Sequence, residues 1–265
     1  NVDKMNFHSF TQRGMGVLNL VEQVRTQAFK QPEKIAYHFK GKDTSYGEFE
    51  FQVGRFAFAL QQMGVQKGDH VALLLANTPH YLISLYATMR IGAVAIPINP
   101  TYTPDEISYI IKNGDVKVVI ALDMLLPLVE VGVKMLPQVT KYIICETTPT
   151  IGEQFHTLSD EAKEKATLFM QVITTSPDSA QPVVVGDDDT AIILYTSGTT
   201  GQPKGAMLTH KNLYSNARDI GDYLKMNDQD RVIATLPVFH VFALSVVVNA
   251  PLMKGATILL VPRFS

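Results

Sequence analysis

The sequence predicts an α/β fold with mostly parallel sheets flanked by helices. Strand-like and helix-like patterns alternate along most of the chain, and this alternation implies right-handed crossovers between parallel strands. A continuous apolar run at 191–194, bounded by polar and glycine-containing segments, is typical of a buried strand. The chain has 265 residues, 46% of them hydrophobic, so it is large enough to bury a sizeable core.

Local patterns predict the elements of the first part. Apolar residues at helical spacing from Leu18 to Ala28 indicate a helix that ends near Gln31 and Pro32. The next segments predict a hairpin over 35–45 and a long amphipathic helix that Gly64 ends. The elements predicted after these are strand 70–75, helix 79–91, strand 93–98, a helix from Thr103 with a capping box, strand 116–121, helix 123–136 and strand 141–145.

Residues 146–186 carry weak signals, with loops rich in Thr, Ser and Pro around one polar helix. We expect a subdomain boundary near residue 175, so that 15–175 forms a first α/β subdomain and 176–265 an incomplete second one. Residues 1–14 are expected to be a leader segment, because Met15 resembles a natural start. Later elements are a helix over 210–225 with Thr209 as its N-cap, strand 231–235, an apolar helix around 241–253 and strand 256–261.

Composition excludes several classes of function. The net charge of −2 offers no electrostatic basis for binding nucleic acid or an anionic membrane surface. No apolar stretch has the length of a membrane span, and residues 1–14 lack the apolar region of a secretory signal. The single cysteine, Cys145, excludes an internal disulfide and suits a reducing cytoplasm. We interpret it as a buried strand residue and not as a nucleophile.

The most informative segment is 195–210, which reads YTSGTTGQPKGAMLTH. Between Thr196 and Gly205 it places three glycines, four hydroxyls, one proline and one lysine. Glycine lets the backbone turn its N–H groups toward an anion, hydroxyls add short donors, and a lysine adds positive charge. This composition predicts a loop that holds a polyphosphate. A Walker phosphate loop is excluded because its spacing differs and no Ser or Thr follows Lys204. A flexible linker would need no Pro-Lys pair.

The chain resembles the adenylate-forming enzymes, which include acyl-CoA synthetases, peptide-synthetase adenylation domains and luciferases. Residues 195–205 match their signature [YF]-T-S-G-[ST]-T-G-x-P-K-G without a departure, and 236–244 is similar to their L-P-x-x-H segment. A third stretch, 91–100, resembles their G-A-x-x-x-P-x-N-P pattern. The resemblance extends from about Leu18 to the last residue and is strongest to bacterial long-chain fatty-acid–CoA ligases. It implies that this chain is the N-terminal portion of the large domain of such an enzyme.

The resemblance also implies a reaction and its participants. ATP would activate a carboxylic acid, most simply a long-chain fatty acid, to an acyl-adenylate, and coenzyme A would then accept the acyl group. Mg²⁺ is expected with the ATP. The residues implied to hold the β- and γ-phosphates are Thr196, Ser197, Gly198, Thr199, Thr200 and Gly201, with Lys204 in a supporting role at the rim of the loop.

His240 is the implied catalytic residue, because family members place this histidine beside the carboxylate and the adenylate. Phe239, Phe242 and Ala243 would help to form the wall of the acyl pocket, and their apolar character suits a fatty chain. The other histidines, His210 among them, lack metal-ligand spacing and are expected at the surface or at helix caps. The acidic run 187–189 is interpreted as a solvated turn, so no metal ligand is predicted in this chain.

Several features of the family have no counterpart in the sequence. Family members continue with a Y-G-x-[ST]-E segment whose glutamate binds magnesium, an aspartate for the ribose, and a C-terminal domain with a catalytic lysine. We therefore expect this piece alone to be inactive. Alternatives are a fragment of an aryl-acid ligase of the coumarate type, a nucleotide- or acyl-binding module without turnover, and a purely structural domain. The oligomeric state stays open, with a homodimer as one candidate.

Overall fold

The computed structural model describes residues 19–148, 150–196 and 202–262. Two regions singled out by the sequence lie outside these ranges: the expected leader at 1–14 and the centre of the glycine-rich segment at 197–201. The described part confirms the predicted α/β class, with helices on the faces of two mostly parallel sheets.

The elements are numbered here in chain order. Those of the first part are α1 (Leu20–Lys30), β1 (Ile35–Phe39), β2 (Lys42–Ser45), α2 (Tyr46–Gln62), β3 (His70–Leu74), α3 (Pro79–Arg90), β4 (Val94–Pro97), α4 (Pro104–Asn113), β5 (Val116–Leu122), a short 3₁₀ turn (Asp123–Leu125), α5 (Leu126–Met135) and β6 (Lys141–Cys145). Those of the second part are α6 (Ile151–His156), α7 (Asp160–Lys165), β7 (Ala166–Leu168), α8 (Phe169–Thr175), β8 (Thr190–Thr196), β9 (Lys204–Thr209), α9 (His210–Tyr223), β10 (Arg231–Ala234), α10 (Val241–Ala243), a π-helical stretch (Leu244–Asn249), α11 (Ala250–Lys254) and β11 (Thr257–Leu260).

The larger sheet has the strand order β7-β6-β5-β3-β4-β8-β9 within the described residues, and every neighbouring pair is parallel except β8 and β9. The smaller sheet has the order β10-β11-β1-β2, with β1 and β2 as its antiparallel pair. Central strands such as β5 are buried along almost their whole length, which is typical of a parallel sheet covered on both faces.

The two sheets do not separate at residue 175. The larger sheet joins strands β3 to β7 with β8 and β9, and the smaller sheet joins β1 and β2 with β10 and β11. Each sheet therefore contains strands from both sides of the expected boundary. The position of a subdomain boundary stays a prediction.

Local signals in the sequence determine several helices. Thr103 caps α4 through the predicted capping box: its Oγ1 accepts from the Glu106 N–H, and the Glu106 carboxylate accepts from the Thr103 N–H. The aromatic face of α2 is buried, with Phe49 and Phe56 at most 2% exposed, so its stripe is core packing as predicted.

Three features were not expected from the sequence. The short strands β7 and β9 were missed, because β7 has three residues and the exposed edge strand β9 lacks an alternating apolar pattern. The apolar helix predicted around 241–253 is helical, but its centre adopts π-helical geometry.

The described part of the chain contains no helix whose length and apolar character would suffice to span a bilayer. Cys145 is buried at the end of β6, as predicted, and burial raises the pKa of its thiol, with the carboxylates of Glu146 and Asp123 acting in the same direction.

Candidate functional site

The signature segment contributes residues to two consecutive antiparallel strands, β8 and β9, which form a hairpin at the edge of the larger sheet. β8 pairs in parallel with β4 and in antiparallel fashion with β9, and the last pair of the hairpin joins Thr196 to Lys204. The sequence predicted a loop followed by a helix, whereas the structure places β9 between them. Of the residues implied to hold phosphate, Thr196 and Lys204 are described, and Ser197, Gly198, Thr199, Thr200 and Gly201 are not.

Thr196 and Lys204 lie side by side as the last pair of this hairpin, at the end where the chain passes from β8 to β9. Directly opposed residues of an antiparallel pair present their side chains on the same face, so a hydroxyl and an ammonium group are neighbours here. Both residues are exposed. None of the ion pairs found within residues 19–148, 150–196 and 202–262 uses the Lys204 ammonium. This end of the hairpin therefore offers an uncompensated positive charge and a donor to an anion.

Two tyrosines connect the hairpin to α4. The Tyr195 hydroxyl donates to Oδ1 of Asn113 at 2.7 Å, and the Tyr109 hydroxyl donates to the Pro203 carbonyl at 3.3 Å. Gly205 lies opposite Tyr195, and a Cβ at this position would come within 2.7 Å of Cγ2 of Ile193 and 3.2 Å of the Tyr195 ring. Glycine is thus required for the close approach of the two strands.

Helix α9 begins directly after the hairpin, with Thr209 as its N-cap as predicted. His210, at the first helical position, is fully buried, and neither ring nitrogen has a hydrogen-bond partner among the described residues. Of the two positions expected for it, the surface or a helix cap, His210 occupies a helix start, and it is buried there. Burial lowers the pKa of His210 from 6.5 to about 4, against the opposing effect of Asp189.

The acidic run before β8 forms a turn, as predicted, and its last carboxylate is engaged in contacts within the chain. Asp189 accepts from the Lys67 ammonium at 2.6 Å and from the Gly186 N–H at 2.6 Å. The backbone carbonyl of Asp189 accepts from the N–H of His210 at 3.0 Å, which joins the turn to α9. Across the described residues, no group of three or more His, Cys, Asp or Glu side chains could hold a metal ion.

The second motif forms the connection between β10 and α10. His240 is exposed and Phe239 half-buried, and their ring centroids are 4.9 Å apart. Phe242 is 61% exposed, whereas Ala243 is fully buried in the core. The structure thus brings His240 and Phe239 into contact and places Phe242 on the same exposed segment. The role in substrate binding predicted for His240, Phe239, Phe242 and Ala243 stays a prediction.

Two buried residues that the sequence analysis missed hold this segment. The Asn77 side chain donates to the carbonyls of Ala234 at 3.0 Å and Leu236 at 2.9 Å, and it accepts from the N–H of Val238 at 2.9 Å. The Tyr81 hydroxyl donates to the Val238 carbonyl at 2.9 Å. No local pattern indicated the role of Asn77, because its hydrogen-bond partners lie 157 to 161 positions away in the sequence.

Both motifs lie at the same edge of the larger sheet. Strands β3, β4 and β8 are mutually parallel, so their carboxyl ends meet at one edge. β8 ends at Thr196 of the first motif, and Asn77, which follows β3, forms hydrogen bonds with backbone groups of the second motif. Crevices outside the carboxyl ends of parallel strands are the usual ligand sites of open α/β sheets.

The chain matches known proteins over most of its length. Residues 24–265 match the family model described as AMP-binding enzyme. The chain is 30% identical over 261 residues to a long-chain-fatty-acid–CoA ligase of Bacillus subtilis, covering 89% of this chain and 45% of the relative. It is 33% identical over 235 residues to 4-coumarate–CoA ligase 3 of Arabidopsis thaliana, covering 84% and 38%.

Among solved structures, ATP-bound MatB from Rhodopseudomonas palustris is similar with a TM-score of 0.73 and 29% identity, over 94% of this chain and 46% of that one. The chain thus spans less than half the length of the relatives it matches. The match to the family model covers most of the chain, and its fold agrees with the amino-terminal part of these enzymes. The chain belongs to the family of AMP-binding enzymes.

Proposed function

We propose that this chain provides the phosphate-holding and acyl-side parts of a ligase that activates a long-chain fatty acid with ATP and transfers it to coenzyme A. The observation that carries the proposal is this hairpin, whose last pair places exposed Thr196 beside exposed Lys204, and the Lys204 ammonium takes part in no ion pair among the described residues. Holding a polyphosphate is an electrostatic task, and this end of the hairpin supplies donors and positive charge for it.

The proposed reaction has two steps. An oxygen of the substrate carboxylate attacks the α-phosphorus of ATP, which forms the acyl-adenylate and releases pyrophosphate. The thiol of coenzyme A then attacks the acyl carbon, its proton is lost, and AMP leaves. The protein mainly positions anions and distributes their charge in the first step. We assign the β- and γ-phosphates to Thr196, the segment 197–201 and Lys204.

His240 is proposed to lie beside the reacting carboxylate, with Phe239, Phe242 and Ala243 along the acyl chain. The exposed apolar side chains of this segment support an apolar substrate, since Leu236, Val241 and Phe242 are each about half exposed or more. An aryl acid of the coumarate type is the second candidate, because the plant coumarate ligase is as similar to this chain as the bacterial fatty-acid ligase.

Magnesium is proposed to accompany ATP, but we assign it no protein ligand, since no cluster of suitable side chains occurs in the described ranges. The remaining catalytic groups are proposed to come from sequence that this chain does not contain. We accordingly expect the 265-residue chain to bind ATP but to form negligible acyl-adenylate. A cytoplasmic location and a homodimer are further predictions of the same proposal.

The binding part of the proposal is tested by titrating the chain with ATP and following the heat of binding. We expect Lys204→Ala to weaken ATP binding by about tenfold, because one charge-assisted contact is lost. Lys211→Ala is the matched control, since it removes an exposed lysine from the first turn of α9 instead. Equal affinities of both variants and the wild type would refute the assignment of Lys204.

The catalytic part is tested by pyrophosphate release with palmitate or coumarate. The chain alone should give none above background, and release at about 1 s⁻¹ or faster would contradict the proposed division of the site. In a version extended by the missing part of the domain, Thr199→Ala combined with Thr200→Ala should slow adenylate formation. Adenylate formation at the wild-type rate in that double variant would refute the phosphate assignment. Complete absence of ATP binding by the chain would favour the purely structural alternative.

A further inference from the structure

We propose that Asn77 is a positioning residue for His240. This role rests on the proposed function of residues 234–244, which we call the acyl-side segment. The Asn77 amide bonds three backbone groups of that segment, at Ala234, Leu236 and Val238. Its side chain is 4% exposed, so these bonds form away from solvent.

These hydrogen bonds use both donors and the acceptor of the Asn77 side-chain amide. Both N–H bonds of Nδ2 go to carbonyls, and Oδ1 accepts the N–H of Val238. Among side chains of this size only asparagine has two donors and an acceptor on one planar group. Aspartate would keep the acceptor but would place a second carboxylate oxygen against two carbonyl oxygens.

Asn77 joins two parts of the fold that are far apart in sequence. It follows β3 of the larger sheet, whereas Ala234 ends β10 of the smaller sheet. Because β3 and β8 are parallel members of one sheet, Asn77 fixes the second motif relative to the edge that carries the hairpin. The buried amide thus determines how the two motifs face each other.

The position of His240 depends on the backbone of the residues just before it. Its ring is exposed, and no hydrogen bond found in the described part of the chain reaches the ring nitrogens. Val238, two residues earlier, has both backbone groups bound, the N–H to Asn77 and the carbonyl to Tyr81. The N–H of His240 donates to Pro237 at 3.0 Å, within the stretch that Asn77 holds.

The test compares Asn77→Asp with Thr78→Val in the 265-residue chain. Thr78 is adjacent and equally buried, but its hydroxyl has no hydrogen-bond partner among the described residues, so the control removes a polar group without releasing the segment. Both substitutions nearly preserve side-chain volume. The readouts are amide hydrogen exchange at 235–240 and the NMR signals of the His240 ring.

We expect Asn77→Asp to accelerate exchange at 235–240 by about tenfold or more, through the loss of buried bonds, and to shift the His240 ring signals. Thr78→Val should change neither. In an extended, active version, Asn77→Asp should lower kcat for adenylate formation more than it raises KM for ATP. A structural effect alone would not produce that separation.

Two results would overturn the proposal. One is equal behaviour of both variants in exchange and ring signals. The other needs no variant: if the Val238 amide of the wild type exchanges as fast as an unprotected loop amide, Asn77 does not hold it. These readouts require no turnover, so a failure of the proposed function would appear in the activity assays and not here.

Discussion

The two motifs of the candidate site are held in different ways. The hairpin belongs to the larger sheet, where β8 has a strand on each side and the backbone ladder fixes its course. Among the described residues, the segment between β10 and α10 pairs with no strand, and the side chains of Asn77 and Tyr81 hold it by hydrogen bonds.

This difference indicates where each motif is sensitive to substitution. A ladder tolerates the loss of one side-chain bond, because many backbone bonds share the task. A segment fixed by one amide and one hydroxyl changes position when either is lost. The motif with the stronger sequence signature is therefore predicted to be the less sensitive of the two to distant point substitutions.

The largest expected effect is a loss of folding stability in acid, caused by protonation of the buried His210 that follows the hairpin. The pKa of His210 is about 4 in the folded protein and 6.5 unfolded, so the unfolded state binds the proton first as the pH falls. The stability present above pH 6.5 is then lost progressively down to pH 4, by about 3 kcal/mol. Urea unfolding at both pH values checks this, and His210→Met should remove that part of the loss.

His156→Gln provides the control, since His156 is exposed and lies outside both motifs. If His210→Met loses as much stability in acid as the wild type does, protonation of His210 does not cause the loss. The hairpin, held by backbone hydrogen bonds, would then differ even more from the segment held by the side chains of Asn77 and Tyr81.

The next effect concerns the hairpin itself. Gly205→Val would force a side chain against Ile193 and the Tyr195 ring, and we expect a loss of about 2 kcal/mol in the free energy of unfolding. Ala206→Val is the matched control, because Ala206 is exposed on the same strand. Denaturant unfolding of both variants measures the difference. Equal stability would mean that the strands can separate without cost.

The smallest expected losses of stability come from removing one tyrosine hydroxyl in each region. Tyr81→Phe leaves the Val238 carbonyl buried without that partner, and we expect a loss of about 1–2 kcal/mol. Tyr195→Phe removes a bond to the exposed Asn113, which water can replace, and should cost less than about 0.5 kcal/mol. A larger loss for Tyr195→Phe in denaturant unfolding would reverse the comparison.

Local signals were sufficient for much of the fold. The capping box at Thr103, the N-cap at Thr209, the hairpin over 35–45 and the buried strands were all predicted, because each depends on neighbours within a few residues. The edge strand β9 was missed, since pairing with β8 and not its own pattern makes it a strand. The position of His210 at a helix start agreed with one of the two expected places, but its burial was not predicted because burial depends on what packs against α9.

By itself, the sequence determined the family, because residues 195–205 are contiguous and match the family signature without a departure. Only the tertiary structure decided which residues connect the two motifs. Asn77 and Val238 are separated by 161 positions, and a contact of that kind is set by the order of strands in two sheets. No local pattern encodes such an order, since it results from burying helices and strands around common cores.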